Sequence, residues 1–454
     1  MTPGERRIAV SMAGIFSARM LGLFMIVPVF VEYAKELTGY TATLAGLAIG
    51  IYGLSQALLQ IPLGMLSDRI GRKPVIIGGL LVFALGSVVA ALSTSMSGVI
   101  LGRALQGAGA IGAAVLALTA DLTREEQRVK VMAFIGISIG ISFALAMVLG
   151  PLLHRWLGLA GLFWLIGALA LVAIGIVTLR VPTPAVRRFH RDTEVEIGWL
   201  RQALGNRQLL RLDFGIFTLH AILMATFVVV PGMLHAQPGL AEGQDWLVYL
   251  PTMVLGMALI IPFIILAEKK RILKPVLAGA VTVLILAELG LAGLGGSMAG
   301  MVIMLLLFFA AFNLLEAMLP SLVARLAPAA HKGTAMGVYS SSQFLGIFAG
   351  GTVGGWLLEY YGVAAVFLAG AALAAAWLLL AVTMQKPGYL STKLLNVGTL
   401  DQARARQVAE ELSRVAGVEE ATVIAADGVA YLKVDKQRLD AEALRSFSIT
   451  EDAA

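Results

Sequence analysis

The sequence predicts an all-α membrane protein of twelve transmembrane helices in two six-helix halves, followed by a small α+β domain. Three observations carry this. Of 454 residues, 59% are hydrophobic and 14% charged, with mean hydropathy +0.87. Soluble domains are about 45–50% apolar and about 25% charged, so a soluble chain of this composition would expose large apolar patches. The apolar residues fall in runs long enough to span a bilayer, which takes about 20 residues. A polar connection and a change of composition after Met384 divide these runs into six, six and a tail.

The N-terminal half, 1–180, carries runs at 8–34, 42–67, 74–93, 98–121, 129–153 and 157–180. The first follows Arg6 and Arg7, is too long for a signal-peptide core and has no A-x-A site after it, so it reads as a retained span. Residues 181–208, polar and carrying Pro182 and Pro184, form a linker. The C-terminal half, 209–385, carries runs at 209–235, 246–267, 275–294, 298–325, 332–357 and 363–384. Alternate connections hold 21 Lys and Arg, and the opposite set holds 2, Lys35 and Arg155. Positive residues stay cytoplasmic. The bias therefore places both termini and the linker in the cytoplasm. The net charge of +6 is topological on this reading and does not argue for nucleic acid.

Several chemistries are excluded or disfavoured. The absence of cysteine removes disulfides, thiolate metal sites and cysteine nucleophiles. The five histidines lie at no ligand spacing, so no metal site is expected. "GAGAIG" at 107–112 spells G-x-G-x-x-G, but a dinucleotide site needs a strand and a βαβ unit, which an apolar span cannot supply. No G-x-x-x-x-G-K-[ST] occurs, so an ion gradient is left as the driving force. No enzymatic activity and no cofactor are expected.

The halves echo each other. "IPLGMLSDRIGRKP" begins at Ile61 and "IPFIILAEKKRILKP" at Ile261, so Asp68 and Glu268 stand 200 residues apart. Duplicated halves are a transporter signature, because two halves can rock about a site near the midplane.

The first of these segments, with Gly64, Leu66, Asp68, Arg69, Gly71, Arg72 and Lys73, resembles the signature loop of the major facilitator superfamily. "LGRALQGAGA" at 101–110 resembles that family's fourth-span motif through Arg103, Gln106 and Gly107. "LGP" at 149–151 resembles the fifth-span motif of its antiporters, although Leu153 and His154 replace the usual glycines. The resemblance, closest to the drug:proton antiporter group, implies the major facilitator fold. It implies that Gly64, Asp68, Arg69, Gly71, Arg72, Lys73 and Asp121 latch the cytoplasmic side shut in the outward-facing state. It also implies a part for Arg103 in proton coupling. Physically, Gly64 permits close helix approach, and Arg72 can fork onto a carboxylate, with Asp121 the acceptor in reach.

Ionisable residues within spans default to function. Arg19, Arg103, His220, Asn313 and Glu316 all fall on spans one, four, seven and ten, which the family resemblance makes cavity-lining. Glu316 is the candidate proton-coupling acid beside Arg103, with a merely satisfied buried acid as the alternative. The candidate substrate cavity comprises Arg19, Met20, Phe24, Gln106, His220, Met224, Phe227, Phe312 and Asn313, with Met25 and Phe309 as further apolar paving. Methionine and aromatic side chains suit adaptable binding and are equally ordinary in membranes. Glu288 reads as structural, and Glu32 and Asp213 as acids near solvated span ends.

In the tail, 386–454, "STKLLNV" reads as a strand and Thr399 with Gln402 as a capping box before a helix to about Ala416. "VEEATVIAA" and "VAYLKVD" read as strands joined at Asp427-Gly428. A short helix, 440–446, follows, and Phe447–Thr450 could add a fourth strand. The order βαββα fits a ferredoxin-like module that regulates or interacts, or one that passively caps the bundle. The functional expectation is a proton-coupled exporter of small amphipathic or cationic compounds working by alternating access. Alternatives are a symporter or metabolite exporter, or a non-transporting sensor signalling through the tail. The expected partners are a small-molecule substrate, protons and membrane lipid, and the expected state is a monomer.

Overall fold

The computed structural model describes residues 1–184 and 195–448, apart from 239, 242, 386, 387, 389, 399 and 436. Its first half contains α1 (Pro3–Phe24), α2 (Phe30–Tyr33), α3 (Ala42–Ile70), α4 (Arg72–Leu92), α5 (Met96–Ala108), α6 (Gly112–Asp121) and α7 (Glu125–Leu179). The linker holds α8 (Ile197–Gly205). The second half contains α9 (Arg207–His235), α10 (Trp246–Lys269), α11 (Leu273–Leu294), α12 (Met298–Leu326), α13 (Lys332–Tyr361) and α14 (Val363–Val382). Among the described residues, ten helical segments are long and apolar enough to cross a membrane, with α5 and α6 counted together as one, Met96–Asp121.

Local chemistry sets these boundaries. Thr2 and Glu5 form a reciprocal capping box that starts α1, satisfying amides that have no partner within the helix. Side chains of Thr41, Ser95, Asn206 and Ser297 cap α3, α5, α9 and α12 in the same sense. Gly71, at φ 110, ends α3 and starts α4 in a single residue, a conformation L side chains rarely adopt. Two expected runs are not single helices. In 8–34, α1 stops at Phe24 and α2 resumes at Phe30, with Pro28 between them unable to donate a helical hydrogen bond. In 98–121, the chain breaks at Gly109, where a Cβ would lie 2.3 Å from the Gly79 carbonyl oxygen. The runs 129–153 and 157–180 are the two helical parts of α7, separated by a kink at Gly158, whose φ of 65 and ψ of −179 are not helical.

Within the first half α1 packs on α7, α4 on α5 and α7, and α3 on α5. Within the second, α9 packs on α13 and α14, α10 on α12, and α11 on α12 and α14. The halves meet chiefly along α3 and α13, with α7 and α10 adding a second seam. Their closest approach lies in the half of α3 remote from the chain termini. A Cβ on Gly46 would come within 2.1 Å of the Gly351 carbonyl oxygen, one on Gly50 within 2.7 Å of that of Phe348, and one on Gly53 within 2.4 Å of that of Phe344. Small residues let helix backbones touch where lipid supplies no hydrophobic drive. At this far end the Thr43 amide also donates to Glu359 across the seam, at 2.8 Å. At the end bearing the termini and most of the basic residues, Pro62, Leu66, Asp68, Arg69 and Ile70 of α3 are exposed.

The tail forms β1 (Ser391–Asn396), α15 (Gln402–Ser413), β2 (Val418–Ile424), β3 (Val429–Val434) and α16 (Ala441–Arg445). The strands make an antiparallel sheet in the order β1-β3-β2, with Leu394 opposite Tyr431 and Val423 opposite Ala430. Val408 and Leu412 of α15 and Leu444 of α16 cover Leu395, Ala430 and Leu432. Asp401 caps α15 through the Arg404 amide, at 2.7 Å; the expected cap Thr399 lies outside the described residues. The helix stops at Ser413, short of Ala416. Of the expected fourth strand, Phe447 is in a turn against the tail core, and positions 449 and 450 lie outside the described residues.

The tail docks on the basic end. Leu394, Val429 and Tyr431 bury against Ala329 and Ala330, between α12 and α13. Nζ of Lys433 donates to the carbonyls of Ala324 and Arg325, groups that the end of α12 leaves unpaired. Arg271, between α10 and α11, donates to both carboxylate oxygens of Asp435 at 3.1 Å and to Gln437 at 2.8 Å. β1 also touches α7, so the tail contacts both halves.

Candidate functional site

Among the polar groups that interrupt the apolar interior, three clusters hold the expected site residues. The first sits at the basic end of the first half. Arg72 is buried, its Nε donating to Oδ2 of Asp121 at 3.1 Å and its Nη1 to Ser67 at 3.0 Å and to Asp68. One guanidinium thus serves two carboxylates and joins the ends of α3, α4 and α6. The Asp121 side chain is fully buried and that of Asp68 is 34% exposed. Of the other expected latch residues, Gly64 faces Ala113 of α6, where an added Cβ would lie 3.0 Å from the alanine Cβ. Gly71 makes the turn, Lys73 is half-buried and Arg69 is exposed. The second half carries a simplified counterpart, in which Arg325 at the end of α12 donates to Glu268 at the end of α10, at 2.6 Å. The charges are exchanged: the fourth span ends in an acid, and its counterpart α12 in a base.

The second cluster lies midway through the first half. Arg19 of α1 donates to Gln56 of α3, which donates to Gln60 at 3.0 Å. Arg103 of α5 donates to the Ala48 carbonyl at 3.2 Å and to Gln106 at 2.8 Å, and Gln106 donates to Ser87 at 2.8 Å. The two guanidinium carbons stand 6.0 and 5.1 Å from the centroid of the Tyr52 ring.

The third cluster lies midway through the second half. His220 of α9 bonds the Ile216 carbonyl through Nδ1 at 3.3 Å, which leaves Nε2 to accept from Gln343 of α13 at 2.8 Å. Glu316 of α12 stands 3.9 Å from the same Nε2, its side chain 39% exposed. The Asn313 amide nitrogen and the Tyr339 hydroxyl are buried with no hydrogen-bond partner among the described residues. Asp213, expected near solvent, is buried. The helix around it is packed on most sides, so its place near the start of the span does not expose it.

An aromatic chain crosses between the halves. Phe24 meets Phe143 of α7 edge-on at 4.8 Å between centroids, Phe143 meets Phe312 at 5.7 Å, and Phe312 meets His220 at 5.8 Å. The remaining expected paving divides. Met20 borders the first half's interior, whereas Met224, Phe227 and Phe309 are buried within the second half, Phe227 against Tyr249 and Phe309. Met25 is buried in the break after α1. Glu288 accepts from Thr226 at 3.0 Å, and Glu32 pairs with Lys35 at 2.7 Å.

Tyr52, Gln56, Gln60, Phe143, Tyr339 and Gln343 belong to these clusters and were not singled out from sequence. The glutamines carried a signal: Gln56 and Gln60 are polar residues four apart in an apolar run, and so share one helix face. Tyr339 and Phe143 carried none, since aromatics are ordinary in spans.

Two halves of membrane-spanning helices, each with a buried polar cluster at mid-depth and related charged turns at one end, define a secondary-transporter architecture. The chain belongs to the Major Facilitator Superfamily, whose description matches residues 12–351. It is 48% identical over 437 residues to the inner membrane transport protein YajR of Escherichia coli (strain K12), covering 96% of each chain. It is 27% identical over 345 residues to the multidrug resistance protein MdtH of Aeromonas hydrophila, covering 75% of this chain and 85% of that one. In fold it matches a bacterial homologue of the human lysosomal transporter Spinster, with a TM-score of 0.70, 15% identity and coverage of 85% of this chain and 98% of the other. These relatives are transport proteins, not enzymes, and the chain is a multi-pass membrane transporter.

Proposed function

We propose that the chain is a proton-coupled inner-membrane transporter that exports small amphipathic compounds by alternating access. The break at Gly158 within α7 and the length of α13 support a reading with twelve spans, and the positive residues support cytoplasmic termini. The observation carrying the coupling is Glu316: a carboxylate at mid-span, partly exposed, 3.9 Å from His220 and without a basic side chain closer than that histidine among the described ion pairs. An acid held there can exchange a proton with an open cavity and lose it when the cavity reverses. The glycine seam of α3 and α13 supports alternating access, since it closes the far end while the described partners of Arg72 in the latch cluster at the basic end belong to the first half. In this state the cavity would open to the cytoplasm. The aromatic chain through Phe24, Phe143 and Phe312 would be its floor and the apolar contact for a substrate. Arg103 is the proposed second coupling residue, and the tail a regulator of the equilibrium.

The test is proton flux in proteoliposomes loaded with a pH-sensitive dye. Substrate addition should move protons opposite to substrate. Protons moving with substrate would make the protein a symporter. Substrate flux with no proton movement would remove the coupling.

A further inference from the structure

Among the described residues, the cluster around Tyr52 has no counter-charge. Arg19 is 2% exposed and Arg103 is 1% exposed, and neither has a carboxylate within ion-pairing distance among the described residues. The buried acids at the basic end of this half are otherwise engaged, Asp121 with Arg72 and Glu5 with Arg124. Nε and Nη1 of Arg19, Nη2 of Arg103 and the hydroxyl of Tyr52 are buried with no hydrogen-bond partner among the described residues. Four donor groups from α1, α3 and α5 thus go unused around one aromatic ring.

Burying one cation without a partner is costly, and burying two side by side adds their repulsion. The glutamines Gln56 and Gln106 orient the guanidiniums through their side-chain oxygens but bring no charge. The Tyr52 face attracts both guanidiniums through its quadrupole, an effect smaller than the cost of taking a charge out of water. Tyr52 also meets Phe344 of the second half, at 6.5 Å between centroids, so the cluster lies against the seam along which the halves move.

We infer that Arg19, Arg103 and the Tyr52 hydroxyl form a binding site for an anionic group of the transported compound, most suitably a carboxylate. Guanidinium forks match a planar two-oxygen anion. The two like charges reject a cationic group at this position. The apolar part of the molecule would extend over the aromatic chain at Phe24 and Phe143. This rests on the transporter reading and narrows its substrate class to amphipathic organic anions.

The test is binding, so it is independent of proton coupling. Full-length protein in nanodiscs of zwitterionic lipid is titrated with benzoate and 1-naphthoate, each beside its neutral isostere, benzamide and 1-naphthamide, and with sodium chloride. At least one acid should bind about tenfold or more tightly than its amide, the loss expected when a charge-assisted contact is missing. Arg19→Gln and Arg103→Gln should each erase that preference while the amide's affinity stays the same. Arg103→Lys should retain part of it. The wild-type comparison stands even where a variant fails to fold. Acids no tighter than their amides, no binding by either acid, or chloride matching the acids in displacement would each overturn the assignment. Tight acid binding without coupled proton flux would leave this site standing and sink the coupling instead.

Discussion

Nε of Arg72 lies 3.1 Å from Oδ2 of Asp121, and both side chains are buried. Removing one member of such a pair leaves the other uncompensated, a loss of about 3–5 kcal/mol. Asp121→Ala should therefore lower the melting temperature of the detergent-solubilised protein clearly more than Asp68→Asn, because Asp68 is a third exposed and partly solvated. Equal losses would show that Asp121 is not the main partner.

The same residues also make a conformational prediction. The family resemblance makes Asp68 and Arg72 part of a latch that gains contacts across the basic end when that end closes, so Asp68→Asn and Arg72→Ala should each raise the population open there, since a few kcal/mol reverses such an equilibrium. The chain has no native cysteine, so spin labels at Leu66→Cys and Gly337→Cys report only the introduced pair. Distance distributions unchanged in both variants would remove the latch.

Glu316→Gln keeps the size of the side chain and loses its proton. It should reduce proton-driven flux at least about tenfold and flatten the dependence of flux on pH, with folding intact by size-exclusion chromatography. Normal flux with an unaltered pH profile would move the coupling acid elsewhere, and buried Asp213 becomes the next to test.

The glycine seam predicts a mutation of opposite sign to the latch. A side chain at Gly46 would press on the backbone at Gly351 and Gly355. Gly46→Val should cost the far-closed state about 1–3 kcal/mol or more, the usual range for overpacking. Labels on the far-end loops should then report longer distances, and the rate of any cycle that must pass through far-end closure should fall.

Much of this was legible in the sequence because it rests on local chemistry. Apolar run length gives the spans, and the repeated charged segments at Asp68 and Glu268 give the duplication. The order of the tail elements follows from period-2 and helical patterns. Which side chains meet was not legible. Gln343 reaches His220 from a helix 123 positions away, and the emptiness around Arg19 is visible only once every neighbour is placed. Where the expected paving sits was not legible for the same reason. Met224 and Phe227 follow His220 at i+4 and i+7 and so share its face of α9, and only the placed neighbours show all three buried, Phe227 against Tyr249 and Phe309. The breaks inside the first and fourth runs escaped because mean hydropathy is blind to Pro28 and Gly109, whose effects are conformational.

Truncation after Gln385 tests whether the tail regulates or merely caps. The contacts at Arg271 and Lys433 lie on loops and helix ends rather than in the bundle core, so the bundle should insert and fold without the tail. Flux should change, because the tail touches both halves and so biases their equilibrium. Identical flux curves across salt and pH would exclude regulation. Loss of folded protein would assign the tail a capping role.

The docking of the tail should itself depend on pH, with a sign set by Lys433. Burial against Ala324 and Arg325 pushes this ammonium from its ordinary value of 10.5 down to about 8; undocking would return it to water. Between these values the undocked tail binds more protons than the docked one, so docking strengthens as pH rises from about 8 toward 10.5. The undocked fraction should fall by up to about tenfold per pH unit in that window. At the acid end the sign is that of a stabilised carboxylate. The Gln437 amide, within the tail, and Arg271, across the interface, hold Asp435 below its ordinary 3.8; only the Arg271 contact is lost on undocking, so its share of docking is present above that value and is lost as pH falls further. Labels at Lys269→Cys and Ser413→Cys in the full-length protein would read the docked and undocked distances. Lys433→Met preserves most of the buried stem and removes the titration, so it should flatten the alkaline limb while leaving the acid limb in place. An alkaline limb that survives in Lys433→Met would assign the dependence to another group.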